Sequence, residues 1–251
     1  MRPGRLADAG GTAALGAWMA FAALTALVVS HRGGPLYPDQ ALLSWSVGHR
    51  PRVAVTVARA LTATGTGVVP YVLVALAGLI AGRTVRQRLV AVALGALCLA
   101  AGQALRYGVL DLVARARPPR WEWRTHASGW SFPSGHTTTG ALTAGLLILA
   151  LCLRAPRGRT VLCALAACWG AGVGLTRVYL GVHWFTDVVG GWLFAVGWLG
   201  VLLCAAARWL PGPHAPRAPE PGTSHPSDTA DGPVERDAPQ DPHRRGRSRP
   251  A

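Results

Sequence analysis

The chain has 251 residues, of which 51% are hydrophobic and only 14% are charged, and its mean hydropathy is +0.29. This balance indicates a multi-span membrane protein and excludes an ordinary soluble domain. All 25 basic residues are arginines, and the formal net charge is +14. They stand at the ends of apolar runs and in the C-terminal tail and form no basic stripe with interleaved aromatic residues. This placement favours membrane topology and anionic lipid head groups over nucleic acid as the reason for the charge.

Six apolar runs predict an all-α bundle of six transmembrane helices, since a bilayer core requires about twenty residues for each span. In chain order they cover about 12–30, 68–82, 89–110, 137–153, 160–175 and 185–209. The segment 39–47 alternates apolar and polar residues in a way that predicts a helix at the membrane interface. We expect the third helix to continue towards Ala116 and to end before Pro118.

Both termini are predicted to be cytoplasmic. Residues 210–251 are rich in Pro, Asp, Arg and His and carry few large apolar residues, so they are expected to form a disordered cytoplasmic tail. Residues 1–11 are the predicted cytoplasmic N-terminus, and residues 12–209 form the six-span domain. The loops that would share the cytoplasmic side contain Arg83, Arg86, Arg88, Arg154, Arg157 and Arg159, as the positive-inside rule requires.

The opposite side also carries arginines, which breaks that rule. They are Arg115, Arg117, Arg120, Arg124 and Arg177. An anion-binding catalytic site that faces outwards explains them best. Arg115 and Arg120 are left open as either members of this site or flanking charges.

Two motifs at this outer side carry the chemistry. Thr176-Arg177 is followed after five residues by His183 and after three more by Asp187, and Pro133-Ser134-Gly135-His136 lies upstream. A hydrocarbon environment excludes such residues unless they act together. Asp187, one helical turn after His183, can select one imidazole tautomer and favour the protonated ring. Two histidines, one of them oriented by an acid, together with arginines suit the cleavage of a phosphate ester through a phosphohistidine.

At these residues the sequence resembles the type 2 phosphatidic acid phosphatase superfamily, whose fold is shared with vanadium haloperoxidases. That family is marked by Lys, six residues and Arg-Pro; by Pro-Ser-Gly-His; and by Ser-Arg, five residues, His, three residues and Asp. Here the second motif is complete, and the third has Thr176 in the Ser position. The first keeps Arg117-Pro118, but Leu110 occupies the Lys position. The resemblance extends over about residues 35 to 205.

The resemblance implies metal-independent hydrolysis of a lipid phosphate or diphosphate by a membrane enzyme that uses no cofactor. Polyprenyl diphosphate, phosphatidate and phosphatidylglycerol phosphate are the candidate substrates, and an outward-facing site favours the first. His183 is then the nucleophile, Asp187 orients it, and His136 is the general acid and later the base. The expected phosphate-binding residues are Arg117, Ser134, Gly135 and Arg177.

Leu110 removes one cation from the expected set. Arg106 lies one turn before Leu110 on the same helix face, about 6 Å deeper along the axis, and is a candidate for the missing charge. The plainer interpretation is that Arg106 pairs with a buried group such as Gln103 or extends along the helix towards water. Because loss of a phosphate contact can reduce catalysis by orders of magnitude, the alternative function is a catalytically impaired, lipid-binding family member.

Two other functional classes are disfavoured. Vanadate-dependent haloperoxidases share the motifs, but they are soluble, whereas this chain has six apolar runs. A proton-coupled transporter should carry its polar residues near the bilayer midplane, whereas here they cluster at the ends of the predicted helices. The oligomeric state is left open.

Overall fold

The computed structural model describes residues 3–154 and 156–209, and this part of the chain contains α-helices and one 3-10 turn but no β-strand. The helices are α1 (Pro3–Ser30), α2 (Tyr37–Gly48), α3 (Arg52–Ala63), α4 (Val68–Ala81), α5 (Val85–Val113), α6 (Gly135–Arg154), α7 (Arg159–Tyr179) and α8 (Phe185–Trp209). The all-α prediction is confirmed. The predicted tail, residues 210–251, lies outside the described residues.

Five helices are long and apolar enough to cross a membrane: α1 over Gly10–Ser30, α5, α6, α7, and α8 over Phe185–Ala205. Helices α3 and α4 meet the same criterion only as a pair, and they are bent by 55° at the break between them. Helix α4 alone has 14 residues, which gives a length of about 21 Å, less than the hydrocarbon thickness. The chain is a multi-pass membrane protein, and its described residues contain five candidate spans, or six if the bent pair is one.

The predicted interfacial helix is present as α2, but it is not simply a surface element. The side chain of Asp39 in its first turn is fully buried, and its Oδ2 accepts a hydrogen bond of 2.9 Å from the backbone N–H of Leu36. This contact caps the helix start. Asp39 therefore points into the protein.

Helix α5 ends earlier than expected. Ala114 adopts a left-handed conformation with φ 46° and ψ 41°, and its N–H donates to the carbonyl of Leu110 at 2.9 Å. The expected continuation to Ala116, ended by Pro118, is wrong. Such a conformation costs about 1–2 kcal/mol for a residue with a Cβ, and here it turns the chain so that Arg115 enters a buried set of ion pairs.

The segment before α6 is fixed against α1 and α8 by aromatic packing. Phe132 is fully buried with Phe21, Val28 and Phe194, and its ring stacks on that of Phe21 with centroids 5.7 Å apart. Helix α8 has Gly190 at this contact, where a Cβ would lie 2.5 Å from Phe132 Cε2. The Pro-Ser-Gly-His motif, which follows Phe132, is thereby held beside the first turns of α8.

Candidate active site

The His183–Asp187 pair lies at the turn into α8. His183 precedes the helix and Asp187 lies in its first turn, with His183 Nδ1 3.2 Å from Asp187 Oδ2. The side chains are only 3% and 0% exposed, respectively. The same carboxylate oxygen accepts hydrogen bonds from the Trp184 backbone N–H at 2.9 Å and from the Ser131 hydroxyl. Asp187 is thus fixed in the orientation that holds the imidazole.

Arg115 holds the other oxygen of Asp187. Its Nη1 donates to Asp187 Oδ1 at 2.7 Å and its Nη2 donates to Asp39 Oδ2 at 2.8 Å. The Thr186 hydroxyl accepts from Arg115 Nη1 at 2.7 Å and lies 2.8 Å from Asp39 Oδ2. The three charged side chains are fully buried. We call Asp39, Arg115, Thr186 and Asp187 the buried ion cluster.

Most of this cluster was not predicted from the sequence. Arg115 was considered either a member of the site or a flanking charge, and Asp39, Ser131 and Thr186 were not singled out. Asp39 did carry a usable signal, because it is an acid among apolar residues near the same predicted membrane face as the two motifs. Ser131 and Thr186 carried none, since single hydroxyl residues are common at helix ends.

The structure specifies the tautomer of His183. Arg117 Nη1 is 2.8 Å from His183 Nε2, and a guanidinium can only donate hydrogen bonds. Nε2 is therefore the acceptor, and the ring proton sits on Nδ1, towards Asp187 Oδ2. This leaves Nε2 with the lone pair that a nucleophile needs.

Arg117 does not present the open fork that the sequence predicted. Its other hydrogen bonds go to the backbone carbonyls of Ser128, Gly129 and Val182, at 2.8, 3.0 and 2.8 Å. Because α5 has already ended, Arg117 lies in an extended loop and shares no helix face with Leu110. In this arrangement Arg117 covers His183 Nε2.

Burial decides the charge of His183. Loss of hydration and, to a smaller extent, the charges of Arg117 and Arg177 lower its pKa from 6.5 to about 4, although the hydrogen bond to Asp187 raises it. Asp187 favours the protonated ring, but burial and the two cations outweigh one carboxylate. His183 is therefore neutral at pH 7 in the absence of a bound anion.

The Pro-Ser-Gly-His motif forms the start of α6, as predicted. His136 lies in the first turn, half-buried, with Nε2 3.4 Å from the Thr66 hydroxyl. The Ser134 backbone N–H donates to the Asp187 carbonyl at 3.1 Å, and its buried hydroxyl accepts from Thr137 Oγ1 at 3.0 Å. The first turn of a helix carries amide groups that attract anions, and here those amides belong to the motif.

Two further arginines reach this helix start. Arg177 is 2% exposed and donates through Nη1 to Thr62 at 3.1 Å, while its Nε is buried without a hydrogen-bond partner among the described residues. Arg106 donates through Nε to Gln103 at 3.0 Å and through Nη1 to the Pro133 carbonyl at 3.2 Å. The predicted pairing with Gln103 is present, and the same guanidinium also reaches the motif. A Cβ on Gly135 would lie 3.3 Å from Arg106 Cζ.

The result is a cluster of guanidinium groups beside two histidines. Arg106, Arg117 and Arg177 all lie close enough to His136 to act on it electrostatically. Such a set of guanidinium groups and helix amides suits a phosphate dianion. No group of three or more His, Cys, Asp or Glu side chains within the described ranges has the geometry to hold a metal ion.

Residues 89–211 match the model of the PAP2 superfamily. The match contains both histidine motifs and Arg106, and it confirms the resemblance found in the sequence.

Curated relatives of this chain are lipid phosphatases by name. It is 39% identical over 105 residues to phosphatidylglycerophosphatase B of Escherichia coli K12, covering 40% of this chain and 38% of the relative. It is 36% identical over 99 residues to a lipid A 1-phosphatase of Rhizobium etli, covering 36% and 39%. It is 33% identical over 99 residues to an undecaprenyl-diphosphatase of Sulfolobus acidocaldarius, covering 36% and 43%. The chain thus spans well under half the length of each of these three relatives.

A solved structure shares the fold over a longer stretch. The crystal structure of a transmembrane PAP2-type phosphatidylglycerolphosphate phosphatase from Bacillus subtilis superposes with a TM-score of 0.59 and 25% sequence identity. The similarity covers 78% of this chain and 94% of that one. The helical membrane architecture is therefore that of a PAP2 protein.

The low pKa of His183 predicts an acid-sensitive fold. Between about pH 6.5 and pH 4 the unfolded chain binds a proton on this ring that the folded protein excludes. The contribution of this ring to the free energy of unfolding is fully present above pH 6.5. Between pH 6.5 and pH 4 it falls by about 1.4 kcal/mol for each unit of decreasing pH. We expect the thermal midpoint of the protein in detergent to drop between pH 7 and pH 5, and to drop less in His183→Gln.

The matched control is His126→Gln, since His126 is exposed, and it should retain the wild-type pH dependence. If the thermal midpoint fell equally in wild type and His183→Gln, this ring would not exclude a proton in the folded state.

Proposed function

We propose that this protein hydrolyses a lipid phosphate or diphosphate, without a metal ion, through a phosphohistidine on His183. The observation that carries the proposal is the tautomer of that ring. Its Nδ1–H faces the Asp187 carboxylate, and its Nε2 lone pair faces the guanidinium of Arg117. The relatives named as lipid phosphatases support the same substrate class.

The first step of the proposed reaction is an in-line displacement. His183 Nε2 forms a bond to phosphorus while the bond from phosphorus to the leaving oxygen breaks, and His136 gives that oxygen its proton. The leaving group is the lipid alkoxide of a monophosphate or the lipid phosphate of a diphosphate. Arg106, Arg177 and the amides of the α6 start stabilise the charge on the equatorial oxygens. In the second step water attacks the phosphohistidine, His136 takes the water proton, and the phosphorus–nitrogen bond breaks.

Arg117 has a different part in this scheme from the one predicted from sequence. It covers Nε2 in the ligand-free protein, so it must move before attack. A phosphate dianion offers a guanidinium stronger hydrogen-bond acceptors than a neutral imidazole. Substrate binding thereby draws Arg117 from the ring and frees the lone pair, which couples activation of the nucleophile to the presence of its target.

Release of phosphate by the purified protein tests the function. Phosphatidate, phosphatidylglycerol phosphate and a polyprenyl diphosphate should be assayed in detergent with and without EDTA. We expect turnover of at least one lipid, unaffected by the chelator and absent in His183→Ala. Binding without turnover of any lipid would favour the impaired, lipid-binding alternative, and a strict Mg²⁺ requirement would contradict the mechanism.

The two histidines should differ in their dependence on the leaving group. His183→Ala removes the nucleophile and should abolish turnover of every substrate. His136→Ala removes only proton transfer, worth about 10²–10⁴-fold, so its defect should be severe for an alkyl phosphate and small for p-nitrophenyl phosphate. Steady-state kcat values on this pair of substrates measure the difference. Equal His136→Ala defects on both, where bond cleavage is rate-limiting, would exclude the acid role.

Arg106 is proposed to supply the cation that is missing at Leu110. Because its guanidinium touches the motif from one turn away, Arg106→Gln should lower kcat/KM by about 10²-fold. Adding Leu110→Lys to that variant should restore part of the loss, since it places a cation one helical turn from position 106 on the same face of α5. The control is Arg83→Gln, an exposed arginine in the α4–α5 turn, which should keep full activity. If Arg106→Gln had the same kcat/KM as the wild type, Arg106 would have only a packing role.

The site is proposed to face the outer side of the membrane, with residues 12–209 as the phosphatase domain and both termini cytoplasmic. The arginines at the α4–α5 and α6–α7 turns, Arg83, Arg86, Arg88, Arg154, Arg157 and Arg159, are exposed and would lie inside. This orientation favours an outer-leaflet polyprenyl diphosphate as substrate. A reporter inserted after Arg157 should be cytoplasmic, and one near Trp123 external. Finding both on one side would refute this topology.

A further inference from the structure

Asp39 is the component of the buried ion cluster that no motif contains. It comes from α2, and its carboxylate lies in contact with the first turn of α8. Its Oδ1 accepts a hydrogen bond of 2.8 Å from the Thr186 backbone N–H, directly before Asp187. Its Oδ2 shares Arg115 with Asp187. Asp39 thus contacts Arg115, which pairs with Asp187, and Thr186, which precedes Asp187. It does not contact His183.

The cluster contains more negative than positive charge. Asp39 and Asp187 contribute two negative charges and Arg115 contributes one positive charge, so the net charge is −1 with all side chains fully buried. A buried unpaired charge is expensive unless another group responds to it. The group in contact with the Asp187 end is His183, at 3.2 Å.

The imidazole of His183 acquires a positive charge in the proposed reaction. A ring that is phosphorylated on Nε2 while its proton remains on Nδ1 is a cation. The negative charge of the cluster is then in direct contact with a cation, whereas a neutral ring separates it from the nearest further cation, Arg117. The excess negative charge is therefore worth more in the phosphoenzyme, and in the transition state leading to it, than in the ligand-free protein.

We propose that Asp39 is a positioning residue of this site, which keeps part of the Arg115 charge away from Asp187 so that Asp187 can support a cationic His183. This inference rests on the proposed function. Without Asp39, Arg115 would pair with Asp187 alone, and the pair would be neutral. The orientation of His183 would persist through Ser131 and the Trp184 N–H, but its electrostatic support would be lost.

A purely structural role predicts something different. Asp39 also accepts from the Leu36 N–H and caps the first turn of α8, so its removal will destabilise the fold. A capping role alone would lower activity only through the fraction of folded protein, so kcat per folded molecule would be unchanged. A charge role lowers kcat per folded molecule with KM nearly unchanged, and it can be rescued by restoring the charge elsewhere in the cluster.

The experiment uses the full chain in detergent with a water-soluble short-chain lipid phosphate. Asp39→Asn should lower kcat by at least about tenfold with KM within about threefold, because transition-state support is lost and ground-state binding is kept. The matched control is Asp111→Asn at the exposed outer end of α5, which should stay within about twofold of wild type. Thermal midpoints verify that each variant is folded at the assay temperature.

The decisive comparison is the double variant Asp39→Asn with Arg115→Gln, which returns the cluster to a net charge of −1. Its kcat should exceed that of Asp39→Asn. If the loss of kcat in the folded double variant equals the product of the losses in the two single variants, the proposal is overturned. If Asp39→Asn is not recovered folded, Asp39→Glu replaces it: the charge is kept, so kcat should remain within about fivefold of wild type despite a lower thermal midpoint. A larger loss of kcat in folded Asp39→Glu would equally overturn it.

The same series separates this inference from the proposed function. Wild-type hydrolysis that is lost in His183→Ala supports the function whatever Asp39 does. Hydrolysis that is unchanged in Asp39→Asn removes only the role of Asp39. Absence of hydrolysis in the wild type removes both.

Discussion

The pairing of one buried arginine with two carboxylates is the constraint on which the rest of the site depends. Arg115 joins Asp39 of α2 to Asp187 of α8, and none of the three side chains reaches solvent. Breaking such a pair from one side costs about 3–5 kcal/mol, because a charge is then left buried without a partner. The start of α8, and with it the turn that carries His183, cannot shift without incurring that cost.

The constraint also explains the irregular path of the chain after α5. A helix that continued through Ala116 would keep a regular backbone, yet the chain adopts a left-handed residue at Ala114. The turn directs Arg115 into the cluster and leaves Arg117 beside His183 Nε2. Two arginines separated by one residue thus have different contacts: Arg115 pairs with the carboxylates, and Arg117 covers His183 Nε2.

Much of this arrangement could be read from the sequence, and the reasons are local. The apolar runs predicted the long helices, because a bilayer imposes a length on each. The spacing of His183 and Asp187 predicted their contact, because the turn into α8 leaves them close even though His183 lies outside the helix. The position of His136 followed from Pro-Ser-Gly, which starts α6. The PAP2 assignment rested on the same residues.

What the sequence did not reveal depends on distant contacts. Asp39 and Arg115 are 76 positions apart, and no periodicity links them. The charge state of His183 depends on burial and on two arginines from other segments, so a carboxylate four residues away was an incomplete guide. The break between α3 and α4, which brings Thr62 to Arg177 and Thr66 to His136, appeared in the sequence only as a span that was too short.

Trapping the covalent intermediate tests the central claim most directly. The protein would be mixed with a lipid phosphate that carries radiolabelled phosphorus, denatured rapidly without acid, and digested for peptide mapping. The account predicts label on His183, attached to Nε2, and none in His183→Ala. Label on any other residue, or single-turnover product formation in His183→Ala, would contradict it.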